Sequence, residues 1–199
     1  MSKIVLNVRG AHCSGKTTSV RGFINSHPNH IETAILGGKK TDYTVIEDLN
    51  VIVLGRYDQG MCGGVDRYKN GNHVKEAIVY IAQTHNPDWI IYEGIMYSVT
   101  FKMADEIADI CSRIGYVWES IFLYRDFAEM IDFLEDRNNG KPVNLEAVTL
   151  KWERVQAVYQ KLISAGRSVK KITVTGMPKK LLENIINEEI NGRAAERVC

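Results

Sequence analysis

Apolar residues fall into short runs along this chain, and helical spacing fills most of the stretches between them. Residues 4–8 form a short apolar run closed by a glycine-bearing loop, which predicts a buried strand. Residues 17–26 predict a helix ended by "HPNH". From residue 31 to residue 54, short apolar runs alternate with "GGKKTD" and "EDLN". That pattern predicts a hairpin-like excursion ending in a strand over Val51–Leu54. Residues 72–84 read as a helix from the spacing of Val74, Ala77, Ile78 and Ile81. "NPDW" then turns the chain into a strand over residues 89–92.

A helix over residues 100–114 places Met103, Ile107 and Ile110 on one face, and residues 120–124 form another strand. Asp126 is the predicted N-cap of a helix running to Arg137, where "RNNGKP" stops it. A long helix over residues 145–164 and a strand over residues 169–174 follow, and Pro178 opens a terminal helix. Strands alternating with helices predict an α/β fold. The expected architecture is a three-layer sandwich with a mainly parallel sheet, a small hairpin insert and a helical lid.

Composition narrows the class. The 199 residues suit one domain over 1–199, and 45% hydrophobic with 25% charged residues is the balance of a globular protein. A net charge of +1 gives no global field for nucleic acid, although a local basic groove is allowed. No apolar run approaches a membrane span, and the N-terminus shows no secretion signal. Cys13, Cys62, Cys111 and Cys199 form no C-x-x-C pair, so neither a zinc site nor a disulfide framework is expected. Reduced thiols in the cytoplasm follow, and a homodimer is compatible with the sequence.

"GAHCSGKT", from Gly10 to Thr17, matches G-x-x-x-x-G-K-[ST]. Such a loop curls so that successive backbone N–H groups face one phosphate chain. The nucleotide-binding residues are therefore Gly10, Ala11, His12, Cys13, Ser14, Gly15, Lys16, Thr17 and Thr18. Lys16 supplies a point charge at the β- and γ-phosphates, and the Thr17 hydroxyl is a ligand for Mg²⁺. The loop lies between a predicted strand and a predicted helix, whose N-terminus favours an anion. ATP with Mg²⁺ is the expected nucleotide.

No N-K-x-D stretch is present to read guanine, which argues against a GTPase. A small kinase remains: phosphate loop, acceptor pocket and closing lid. Glu93 ends the apolar strand of "DWIIYEG", at the sheet edge where open α/β folds bind ligands. It is a candidate to hold Mg²⁺ or to orient the acceptor hydroxyl. The lid is expected near residues 125–145, with Arg125, Arg137 and Lys141 as its cations, and Arg113 and Arg154 as weaker candidates. Thr175 to Pro178, after the last strand, is where small kinases touch the adenine.

"GRYDQGMCGGVDR", from Gly55 to Arg67, follows strand Val51–Leu54. Its glycines let backbone pass close to an acceptor, and Asp58 and Asp66 are both candidates to take the acceptor hydroxyl's proton. Arg56, Tyr57 and Arg67 are candidates to hold phosphates or stack a base.

This glycine loop, followed by "WIIYEG", resembles the G-x-Y…C-G-G-x-D and strand-E-G pattern of the phage 5-hydroxymethyluridine DNA kinases, distant relatives of thymidylate kinases. The resemblance extends to the phosphate loop and more loosely to "LYRDFAEMIDFLEDR". It implies phosphorylation of the hydroxymethyl group of a pyrimidine within DNA, as a step toward hypermodified thymidine, in the host-cell cytoplasm. It further implies Lys16 and Thr17 at the nucleotide, Asp66 and Glu93 near the acceptor, and Cys62, Gly63 and Gly64 lining the pocket. Two other readings remain open: a kinase of free nucleosides or nucleotides, and a nucleotide-dependent binding protein.

Overall fold

The computed structural model describes residues 2–58, 63–68 and 70–195. In chain order its elements are β1 (Lys3–Gly10), α1 (Lys16–Asn25), β2 (His30–Leu36), β3 (Lys39–Ile46), β4 (Val51–Leu54), α2 (Gly71–Thr84), β5 (Trp89–Glu93), α3 (Ile95–Ser98), α4 (Phe101–Arg113), β6 (Tyr116–Tyr124), α5 (Phe127–Arg137), α6 (Leu145–Ser164), β7 (Ser168–Thr173) and α7 (Leu181–Ala195). The strands make one seven-stranded sheet in the order β2-β3-β4-β5-β1-β6-β7. Strands β4, β5, β1, β6 and β7 run parallel, and β2 and β3 extend the sheet antiparallel beside β4.

Helices cover both faces, which is why β4 and β5 are buried along their whole length and read as continuous apolar runs. In β1 the side chains alternate. Ile4, Leu6 and Val8 meet Val20 and Phe23 of α1 and Leu182 and Ile186 of α7. Val5 faces the opposite cluster, with Ile78 of α2, Ile107 of α4 and Val155 of α6. Each fully buried aliphatic or aromatic side chain contributes roughly 1.5–3 kcal/mol of transfer free energy.

From β5 the chain crosses to β6 on the other side of β1. Such a reversal is where open α/β sheets take ligands, beyond the carboxyl ends of the strands, and here the loop that follows β1 lies at it. The β2–β3 hairpin points the same way. Tyr43 of β3 pairs with Leu54, the last residue of β4, so Thr41, Lys40 and Lys39 continue past the parallel strands' ends.

Several boundaries differ from those expected. Strand β6 begins at Tyr116 rather than at residue 120, because Tyr116 and Trp118 are buried while Val117 between them is 45% exposed. Helix α7 begins at Leu181, not at Pro178. Pro178 instead packs against Gly15, and its carbonyl accepts the Ser19 hydroxyl at 3.0 Å. Helix α3 has no counterpart in the sequence reading, since a single turn has too few residues to show a period.

The expected lid segment consists of α5, a turn through Asn139 and Gly140 in left-handed conformations, and the start of α6. Asp126 caps α5 as expected, accepting the Ala128 N–H at 2.9 Å, and Asn144 caps α6 through the Ala147 N–H at 3.0 Å.

Candidate active site

The phosphate loop leaves β1 at Gly10 and enters α1 at Lys16. Gly15 has φ 91°, and a Cβ there would lie 2.4 Å from Pro178 Cγ, so only glycine fits between the helix start and residue 178. The Gly10 N–H donates to Ser98 Oγ at 3.2 Å, and the Ser98 hydroxyl donates to the Gly94 carbonyl at 2.8 Å. Helix α3 thus props the loop from below. Ser14 Oγ is buried within the loop and has no hydrogen-bond partner among the described residues. A buried hydroxyl left open inside a phosphate-type loop suits an anionic ligand.

Thr17 and Glu93 meet. The Thr17 hydroxyl donates to Glu93 Oε1 at 2.8 Å, joining the start of α1 to the end of β5. Glu93 is 2% exposed. Burial pushes its carboxyl up to about 7, with Lys16 and the Thr17 hydroxyl pulling the other way. The Lys16 ammonium is buried and donates to the Gly10 and Ala11 carbonyls at 3.0 and 2.8 Å. Burial lowers its pKa, and the charges of Glu93 and Asp66 oppose that.

The described end of the glycine loop, from Gly63 on, packs against Glu93. Gly64 has φ 73°, and a Cβ there would lie 2.4 Å from the Glu93 carbonyl and 2.8 Å from Glu93 Oε1. Bare backbone stands beside a carboxylate here because nothing larger fits. Gly63 and Gly64 also pack on Tyr57, which is 4% exposed, so this tyrosine lies beneath the loop and not on its surface. Cys62 lies outside the described residues.

The two aspartates part company. Asp66 is exposed in a helical turn over Gly64–Arg67, and it accepts the backbone N–H groups of Ile95 at 2.8 Å and Met96 at 3.3 Å. Its charge is felt by both Lys16 and Glu93. Asp58 forms an ion pair with Arg56, whose Nε donates to it at 3.1 Å, and the neighbouring Arg67 is the other cation acting on it. Asp66 therefore shares the Lys16–Glu93 cluster, while Asp58 sits in a separate surface pair with Arg56 next to Asp42.

Of the expected lid cations, Arg137 and Lys141 are exposed at the end of α5 and in the turn after it. The charge of Arg137 acts on Lys16 and His12, so α5's end is within electrostatic reach of the phosphate loop. Arg125 is different. It is 3% exposed, bonded to Glu129 and to the Gly176 carbonyl, with its guanidinium 4.3 Å from the Phe133 ring centroid. It braces the start of α5 against the segment after β7. Arg113 ends α4 at the opposite end of the sheet, and Arg154 is exposed on α6.

Comparison with known families matches residues 3–177 to the model of the 5-hmdU DNA kinase. The chain belongs to the 5-hmdU DNA kinase family. A 5-hmdU DNA kinase of Pseudomonas phage M6 is 24% identical over 90% of this chain and 98% of its own length. The 5-hmdU DNA kinase of Delftia phage PhiW-14 is 27% identical over 81% of this chain and 65% of its own. The YorR protein of Bacillus subtilis, solved in complex with phosphorylated GDP, superposes with a TM-score of 0.51 at 11% identity, covering 94% of this chain and 98% of its own. That likeness is one of fold.

In this member of the family, no group of three or more His, Cys, Asp and Glu side chains among the described residues converges on a metal position. The Thr17 hydroxyl and the Glu93 carboxylate stand together at the loop, 2.8 Å apart. That donor set fits Mg²⁺, which keeps its waters and binds through one or two carboxylates and the substrate's phosphates. No helix among the described residues is long and apolar enough to cross a membrane.

Three site-building residues were not read from the sequence. Ser98 supports Gly10, as above. Arg9 is fully buried beneath the loop, donating to Asn7 Oδ1 at 2.8 Å and to the Thr100 carbonyl at 3.4 Å, with burial drawing its pKa down to about 10. Lys151 of α6 approaches the phosphate loop, with its Nζ 3.2 Å from His12 Nε2. An arginine inside a strand and a lysine in a long helix carry no local signal, because only the tertiary fold brings them to the loop.

Proposed function

We propose that this chain transfers the γ-phosphoryl group of ATP to the hydroxymethyl group of 5-hydroxymethyluracil in DNA. The observation that carries the reading is the Thr17–Glu93 hydrogen bond, with Lys16 and Asp66 in electrostatic reach of it, in a chain of this family. The backbone of Gly10 to Thr18 holds the triphosphate. Lys16 turns from the Gly10 and Ala11 carbonyls toward the phosphates. Thr17 and Glu93 would hold Mg²⁺, which neutralises charge on the phosphate oxygens when bound.

The bond between the γ-phosphorus and its bridging oxygen breaks as a bond to the hydroxymethyl oxygen forms. Asp66 orients that hydroxyl and takes its proton, and Arg137 adds positive charge from the lid. Arg56 and Arg67 lie on the glycine loop, where Gly63 and Gly64 form the wall toward the acceptor and the buried Tyr57 supports them from beneath. The segment Thr175 to Pro178, with Met177 exposed, would meet the nucleotide base. DNA is the acceptor because the loop's surroundings carry cations beyond the site itself, on the hairpin, the glycine loop and the lid.

The test is transfer from γ-labelled ATP to a duplex containing 5-hydroxymethyluracil, with the free nucleoside alongside and Lys16→Ala as control. Labelling of the DNA and not of the nucleoside is expected, with Lys16→Ala inactive. Labelling of the nucleoside alone would overturn the DNA acceptor.

A further inference from the structure

Cations supplied to the phosphate loop from outside it decide how fast a phosphoryl group moves, since phosphoryl transfer leans on positioning and charge neutralisation. The lid provides Arg137. A second cation comes from α6, beyond the expected lid. Lys151 Nζ lies 3.2 Å from Nε2 of His12, a residue within the loop, although 139 positions separate them in sequence.

The rest of α6 holds Lys151 in this place. Val148 and Val155, about one turn to either side, are buried in the core, so the helix turns this face inward. Trp152, next in sequence, is clamped between aromatic rings, with its centroid 6.1 Å from that of Tyr124 and 5.6 Å from that of Phe127. A lysine held rigidly at its root has a long, flexible stem and a mobile ammonium.

The contact is an ammonium donating to a ring nitrogen. His12 is drawn down to about 4 by burial, reinforced by the charges of Lys151, Lys16 and Arg137. Its imidazole is therefore neutral at physiological pH and offers Nε2 as an acceptor. An uncharged partner holds the ammonium in place without cancelling its charge. A carboxylate at the same place would have bound the lysine in an ion pair and neutralised it.

We propose that Lys151 is a further phosphate-directed cation of this site, parked on His12 over the phosphate loop and passed from it to the transferred phosphoryl group. The inference rests on the phosphoryl-transfer reading given above. Lys151 takes no part in the proton transfer. The bond to the bridging oxygen breaks, the bond to the hydroxymethyl oxygen forms, the proton goes to Asp66, and Lys151 acts only on the charge of the oxygens that develop between.

The experiment measures nucleotide affinity and turnover separately for Lys151→Met, Lys151→Arg and His12→Ala, with circular dichroism on each. Lys151→Met is expected to lower kcat about 100-fold. It should weaken ATP roughly fivefold or more while leaving ADP within about twofold, because only ATP carries the γ-phosphate that the ammonium would meet. Lys151→Arg should recover much of kcat. His12→Ala should cost less than Lys151→Met, and the double variant should be no worse than Lys151→Met alone.

A lower melting temperature for Lys151→Met with kcat within about threefold of wild type would show that the pair serves packing only, and would overturn the proposal. Equal weakening of ATP and ADP would overturn it too. The ATP–ADP comparison needs no acceptor. If the wild type labels neither DNA nor nucleoside, the acceptor reading has failed, while the affinities still decide the role of Lys151.

Discussion

The Thr17 hydroxyl donates to the Glu93 carboxylate at 2.8 Å, across 76 positions of sequence. Thr17 lies in the first turn of α1 and Glu93 closes β5, so the pair ties the phosphate loop to the neighbouring strand. The bond also fixes which way a buried carboxylate points. The cation-holding role proposed for Glu93 conflicts with its burial. Holding a cation needs the ionised form, and burial disfavours it.

A pH-dependent stability follows from that conflict. In the folded chain Glu93 titrates at about 7, above the ordinary 4.5. Between those values the folded state binds more protons than the unfolded one, so stability falls as pH rises through this window. The cost is roughly 3 kcal/mol once Glu93 is fully ionised. Glu93→Gln keeps an oxygen for the Thr17 hydroxyl and removes the charge. It should melt higher than wild type at pH 8, with little difference at pH 4.5, and lose Mg²⁺-dependent turnover. Thermal melts of both proteins at the two pH values check this. Parallel pH profiles for the two would refute it.

Two glycines with the same backbone angle separate strain from contact. Gly38 and Gly64 both have φ 73°, but a Cβ at Gly38 meets nothing within 4 Å. Gly38→Ala should cost about 1 kcal/mol of left-handed strain and leave kcat unchanged. Gly64→Ala carries the same strain, and its Cβ would press on Glu93 Oε1, the atom bonded to Thr17. It should cost clearly more stability and lower kcat at least about tenfold. Urea melts and steady-state kinetics on both variants decide, and equal behaviour of the two would show that the contact is irrelevant.

The carboxylates of the glycine loop should separate just as plainly. Asp66→Asn retains one oxygen to accept a backbone N–H of α3, so the fold should survive. It should still lower kcat about 10²-fold or more, with a small change in KM for ATP, as befits a group that acts on the acceptor. Asp58→Asn breaks only an exposed pair with Arg56 and should leave kcat within about threefold. Inactivity of Asp58→Asn beside an active Asp66→Asn would move the proton acceptor to Asp58.

These residues also show what the sequence could and could not tell. The phosphate loop was legible because its chemistry is local: glycines, lysine and threonine at fixed spacing between strand and helix. Glu93 was legible as a strand-end acid beside a following glycine, and the parallel sheet from the alternation of apolar runs. The different surroundings of Asp58 and Asp66 were not legible. They depend on α3, a single turn whose N–H groups Asp66 caps, and on Arg56 being close enough to hold Asp58. Tyr57 looked like a surface stacking group until packing put it under Gly63 and Gly64. Arg125 looked like a lid cation, yet the fold spends its charge on Glu129 and Gly176. Each of these rests on contacts among elements distant in sequence or too short to show a period.

The hairpin gives the last prediction, on DNA itself. A kinase acting on a base in a duplex must draw that base out of the stack or take single strands, and in either case it grips the flanking phosphates. The antiparallel register carries Lys39 and Lys40 beyond Leu54, past the ends of the parallel strands and on the same side as the glycine loop. Neither lysine touches the Thr17–Glu93 pair, so their contribution would be to affinity and not to chemistry. Lys40 is 3.4 Å from Asp42 in an exposed pair, which a phosphate can compete for. Each phosphate neutralised adds about 0.9 to the slope of log affinity against log salt on duplex DNA. Lys39→Ala with Lys40→Ala should therefore reduce that slope by about 1–2, weaken DNA binding most at low salt, and leave kcat at saturating DNA unchanged. The KM for a free nucleoside, if any turnover on it is detected, should not respond. Binding titrations of a duplex containing 5-hydroxymethyluracil at several salt concentrations read the slope directly. An unchanged slope would place the DNA backbone elsewhere, with the Arg56–Arg67 and Arg137–Lys141 segments as the next surfaces to neutralise.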